Sequence, residues 1–143
     1  RDFYAWSQAQ ARAIAAAGER GDMPAGLDWQ RLAEEVGDLG KRDLRGAKSL
    51  TRRILEHLML LQSEAKGDAS RHWRHEVRVF RADLELELTP SIRRLIEDDL
   101  EDLHVAAGRV AASKLADGGL APTDPSARWT LAEILGEEND PLG

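Results

Sequence analysis

The chain contains no cysteine in 143 residues. Disulfides, a thiolate nucleophile and thiolate-ligated zinc are therefore excluded. Aromatic residues make up only 5%, so a core must be built mainly from aliphatic side chains. No apolar run reaches the ~20 residues that a membrane-spanning helix needs. No secretory signal is visible in the residues given, although they start at Arg1 rather than at an initiator Met. Runs of β-branched residues alternating with polar ones are also missing, so nothing reads as a half-buried strand. Basic charge is in deficit: the net charge of −6 argues against a sequence-general nucleic-acid binder.

What is present is alanine, leucine and charge at helical spacing. The length suits one domain over residues 1–143, able to bury roughly two-thirds of its unfolded surface. The stretch from Trp29 to Glu64 dominates it. Leu32, Val36, Leu39, Asp43, Ala47, Leu50, Ile54, His57 and Leu61 recur at steps of three and four, the signature of one helix face. Asp28 is a suitable N-cap and Gly67 a suitable terminator. A helix of that length would span about 54 Å. Gly37, Gly40 and Gly46 fall inside it, and a kink or short interruption is expected between Gly40 and Gly46. Close helix packing is the preferred reading of these glycines over a hinge.

Before it, Asp2 caps a helix over about Phe3 to Ala17, with Phe3, Trp6, Ala13 and Ala17 on one side. After Gly67, a third helix is expected over about Ser70 to Glu87, with Trp73, Val77, Phe80, Leu84 and Leu88 inward. Thr89-Pro90 starts a fourth, running to about Ala116 with Ile92, Ile96, Leu103, Ala106 and Val110 inward. Thr130 and Glu133 form a capping box that opens a short last helix. The expected fold is all-α: a four-helix bundle with a long second helix and a short C-terminal helix.

Asp2-Phe3-Tyr4-Ala5-Trp6, Leu32-Ala33-Glu34-Glu35-Val36, Leu50 through His57-Leu58, His72-Trp73, Thr89-Pro90-Ser91-Ile92 and Trp129-Thr130-Leu131 occur in that order. Together they resemble the bacterial family numbered 29 among the domains of unknown function. The resemblance covers nearly the whole chain. It implies a compact helical domain of bacterial, cytoplasmic type, and it implies no activity. Two departures stand out. Asn139-Asp140-Pro141-Leu142-Gly143 replaces an aromatic-proline ending, and Ala127-Arg128 replaces the Cys-Pro that often precedes the late tryptophan.

Four constellations could carry chemistry. His57 lies on the apolar stripe and could ligate a metal or move a proton; the plainer reading is a core histidine with satisfied ring nitrogens. Glu35, three residues after Leu32, is expected to approach the core more closely than Glu34 and could join such a site. Carboxylate-bridged metal sites in bundles use Glu-x-x-His on two helices. Here the pattern occurs once, at Glu101 and His104. His72, His75 and Glu76 share a helix face and could hold a divalent ion, but Arg71, Arg74 and Arg78 surround them. The acidic run Glu97 to Asp102 and the basic run Lys41 to Arg53 read as solvated or salt-bridged faces. The four tryptophans read as end-packing for the bundle.

No complete catalytic set emerges. The leading expectation is a protein–protein interaction or regulatory module without catalysis, engaging a protein partner or itself as a homodimer, with no membrane or nucleic-acid partner. The alternative is a metal-binding enzyme that uses the core histidines and glutamates.

Overall fold

A computed structural model describes residues 1–143 as helices and connections, with no strand. The elements are α1 (Phe3–Glu19), α2 (Trp29–Leu61), α3 (Asp68–Glu87), α4 (Pro90–Asp98), α5 (Leu100–Asp117) and α6 (Leu131–Leu135). Helix α2 is the spine, and α1, α3 and α5 each pack along it. The long helices α1, α2, α3 and α5 make the all-α bundle, with α6 as the short C-terminal helix.

The caps lie where the side chains predict them. Asp2 accepts from the Ala5 amide at 2.9 Å, Asp28 from Arg31 at 3.1 Å and Thr89 from Ile92 at 3.2 Å. The capping box forms in full: the Glu133 amide donates to the Thr130 hydroxyl at 3.1 Å, and the Thr130 amide to the Glu133 carboxylate at 2.8 Å. Gly67, however, starts α3 instead of ending α2. Its φ of 73° lies in the left-handed region that glycine enters freely.

Helix α2 runs through 33 residues without the interruption expected near Gly40 to Gly46. Packing explains Gly40, where a Cβ would overlap the Ser7 hydroxyl; one on Gly37 would make an ordinary contact with the Ala11 methyl at 3.4 Å. Helix α1 therefore lies on the Gly37–Gly40 line, and the Gln8 amide bridges the two helices by donating to the Gly37 carbonyl at 2.9 Å.

That placement overturns part of the expected core. The packed side of α1 carries Ser7 and Ala11, so Phe3, Trp6 and Ala13 are exposed. Leu32 and Leu39 stay 39% and 44% exposed, and Trp6 is 50% exposed, so it closes no bundle end. The 18 buried apolar side chains of the core all come from Ala47 onward. The molecule thus has a slender arm, formed by α1 and the first half of α2, and a body formed by the rest.

The fourth helix is two helices. Asp99, at φ −101° and ψ 9°, ends α4 and precedes α5. An aspartate favours caps over helix interiors, and the adjacent acids Glu97 and Asp98 disfavour continuation. Lys48 of α2 holds Asp99 at 3.2 Å. Beyond the break α5 buries Leu103, His104, Ala107, Ala111 and Leu115, while Ala106 and Val110 sit half-buried.

After α5 the chain returns across the body as a strap. Its Leu131, Ile134, Leu135 and Leu142 enter the core. Arg81 of α3 fastens it, donating to the carbonyls of Ile134 at 2.8 Å and Glu133 at 3.3 Å, and to Asp140 through two bonds at 2.8 and 3.2 Å. Arg74 donates to the Leu142 carbonyl, and Arg93 pairs with Glu137.

Candidate functional site

The histidines take three different roles. His104 is buried on α5. Its Nδ1 is 2.8 Å from the Leu100 carbonyl, and its Nε2 is 3.0 Å from the Trp129 amide nitrogen. A carbonyl only accepts and an amide only donates, so Nδ1 carries the proton and Nε2 accepts. The ring also stacks on the Trp129 indole, with centroids 6.2 Å apart. Burial lowers its pKa below the ordinary histidine value, more than the Leu100 hydrogen bond raises it. Nε2 holds the strap through Trp129, while Nδ1 is anchored to the Leu100 carbonyl of its own helix, so both nitrogens are engaged. Glu101, the other half of the single Glu-x-x-His pattern, points outward to Arg128 in a two-bonded pair at 2.9 and 2.8 Å. That hydrogen bonding, ahead of any other cause, depresses its pKa. The two residues meet different partners and do not form a ligand pair.

His57 is a core-edge histidine. Its Nδ1–H donates to the Arg53 carbonyl at 2.7 Å, and the ring meets Phe80 edge-on at 5.4 Å. Burial lowers its pKa, which keeps the ring neutral with a lone pair on Nε2. It lines a shallow pocket of about 330 Å³ between α2, α3 and α5, with Arg52, Glu56, His72, Glu76 and Lys114 around it. The sequence did not single out Glu56, which is only 5% exposed and has Arg52 at 3.9 Å. The mixed charges of this pocket offer a neutral base among both cations and carboxylates. Exposed His75 is not among the pocket's lining residues, so it and His72 do not act there together.

Glu35 does not approach the core. It is exposed on the arm, because α1 covers the Gly37–Gly40 line and leaves the Leu32 side of α2 open. It lies 22 residues from His57 on the same continuous helix, about 33 Å along the axis, so these two cannot share an ion. No three His, Asp or Glu side chains converge closely enough to hold a metal.

The arm presents the second candidate surface. Phe3 and Trp6 stack on each other at 5.6 Å, and both remain exposed. Leu27, Leu32 and Leu39 are exposed on the second arm helix and its approach. Five of the chain's eight exposed large apolar side chains therefore lie within its first 39 residues. On the facing side of the hairpin, Glu34, Asp38, Lys41 and Arg12 border a second groove. The hydrophobic periodicity marks Phe3, Trp6, Leu32 and Leu39 but not Leu27, and it does not reveal that nothing covers them.

A continuous spine helix, helices on its flanks and a tied-down C-terminal strap define an all-helical class of domain, and no helix is long and apolar enough to cross a membrane. The chain belongs to the family described as domain of unknown function DUF29, whose match covers residues 1–138. A similar fold occurs in an α-helical protein of unknown function from Rhodospirillum rubrum, known from its crystal structure. The two are 29% identical with a TM-score of 0.86, over 98% of this chain and 90% of that one. No curated protein matches the chain.

Proposed function

We propose that this domain acts by protein–protein contact, and that the arm is its contact surface. The observation that carries this reading is the exposure of Phe3, Trp6, Leu27, Leu32 and Leu39 together on an element that buries no large apolar side chain of its own. Exposed apolar side chains concentrated on one element mark interaction sites, and tryptophan is enriched at energetically dominant contacts. A metal-dependent enzyme has less support, because Glu35 and His57 are far apart and His104 has both ring nitrogens engaged.

The test is a photo-crosslinking amino acid placed at Leu32 or Leu39 and expressed in the native host. Leu86, 85% exposed on the body, is the control. Discrete protein adducts at positions 32 and 39, but not at 86, are expected. Equal labelling at all three, or none at the arm, would remove the reading.

A further inference from the structure

We infer that the arm pairs with the arm of a second copy of this chain, antiparallel, about a two-fold axis that passes close to Leu39. This rests on the reading of the arm as a contact surface and names the occupant.

Leu32, Leu39 and Gly46 fall seven residues apart along the outer side of α2, the repeat of a helix–helix seam. Gly46 has no explanation within the chain. It sits inside a continuous helix, where glycine is disfavoured against alanine, yet a Cβ there would meet nothing within 4 Å. Gly40, by contrast, makes room for α1. A two-fold axis at Leu39 sets that residue against its own copy. It also sets Leu32 of each chain over Gly46 of the other, since residue 39 is midway between them. The glycine becomes the notch that receives a leucine, and the contact is the same on both sides, as an isologous interface requires.

Charge selects the same orientation. Residues 28–38 carry four acids and one base, whereas residues 41–53 carry six bases and one acid. An antiparallel partner lays the acidic third of each α2 along the basic stretch of the other; a parallel partner would lay like on like. Glu35 and Arg42 are exposed and take part in none of the chain's own ion pairs. They flank Leu39 at four and three residues, so each Glu35 comes within a turn of Arg42 of the second copy. Trp6 adjoins Ser7, the residue that meets Gly40, so its exposed ring lies on α1 at the level of the axis.

Analytical ultracentrifugation of the full chain across the micromolar range tests this. Wild type is expected to dimerise reversibly. Glu35→Arg and Arg42→Glu should each weaken the dimer about tenfold, and the double exchange should return it to within about threefold of wild type. Rescue by the double exchange is specific to self-pairing in this register. Gly46→Leu should weaken the dimer while raising the melting temperature of the dilute monomer, which separates a filled notch from a damaged fold. A wild type that stays monomeric at every concentration overturns the inference, as does an additive loss in the double exchange. Monomer with arm adducts to a different protein would overturn self-pairing and leave the contact-surface reading standing. Monomer with no arm adducts would overturn both.

Discussion

One helix serves two regions that are held together in opposite ways. Between Trp29 and Gly46, α2 buries only Gly37 and Gly40; from Ala47 it buries Ala47, Thr51 and every residue from Ile54 to Leu60. The arm closes on small residues and a polar bond from Gln8 to Gly37, while the Ser7 hydroxyl turns back to the Tyr4 carbonyl within α1 at 2.9 Å. The body closes on interlocked aliphatic side chains and on arginines that hold carbonyls of the strap. Backbone regularity is the same in both halves, so helicity says nothing about where stability resides. Packing of large side chains decides it.

The largest effect should separate the two regions directly. Ile54→Ala removes a fully buried side chain and is expected to cost about 2–5 kcal/mol in denaturant unfolding. Leu32→Ala in the dilute monomer should change stability by no more than about 0.5 kcal/mol. Comparable losses would abolish the distinction. Next comes the strap. Arg81→Met keeps apolar bulk but removes the side-chain donor from the Ile134 carbonyl and leaves Asp140 with only the Leu142 amide, and should cost about 1–3 kcal/mol. Asp140, whose pKa is lowered first by its bonds to Arg81, should return toward the ordinary carboxylate value, a change NMR titration can follow.

Acid should act on the body before the arm. His57 and His104 both have folded pKa values below the ordinary histidine value, so the unfolded chain binds protons that the folded chain refuses. Their stabilising contribution is complete above the ordinary value and shrinks as pH falls through and below it. Protonated His104 would also turn a donor toward the Trp129 amide, breaking the bond that accepts it. Thermal melts from pH 7.5 to 5 should show this decline, and His104→Gln should flatten it. A wild-type melting temperature that stays flat over that range would refute the assignment.

The smallest effects discriminate within the arm. Gly40→Ala must displace Ser7 and should destabilise by about 1–2 kcal/mol. Gly46→Ala meets no neighbour and should stabilise the monomer by up to about 1 kcal/mol. Circular-dichroism melts of dilute protein read both signs, and equal signs would mean that α1 does not lie on the Gly37–Gly40 line.

Much of the helical layout was legible from local chemistry. Asp2, Asp28, Thr89 and the Thr130–Glu133 pair mark helix starts because a cap depends on only a few adjacent residues. The α3 stripe from Trp73 to Leu88 was legible too, since an amphipathic helix in the body has only one place to turn its apolar side. The arm was not. Periodicity shows that Leu32, Val36 and Leu39 share a side, but it does not show what covers them, and the deciding contacts come from glycines that carry no hydrophobic signal. The hold of His104 on the strap was hidden for a related reason. Its partner is a backbone amide 25 residues away, presented by an irregular segment with no period. The break at Asp99 lay hidden inside a helical pattern that reads continuously across it.

The Asp2 carboxylate does two jobs: besides capping α1, it accepts the Ser91 amide at 2.8 Å at the start of α4. Burial pushes its pKa up, yet hydrogen bonds from Ala5, Ser91 and Thr89 outweigh that and hold it at about 2. The base of the arm is thereby latched to a residue 89 positions further along the chain. A nascent polypeptide can wind the α1–α2 hairpin from local contacts soon after residue 61 is made, but it cannot set this latch until α4 has been synthesised. The order of assembly follows: the hairpin first, free to swing, and its fixed angle to the body only afterwards.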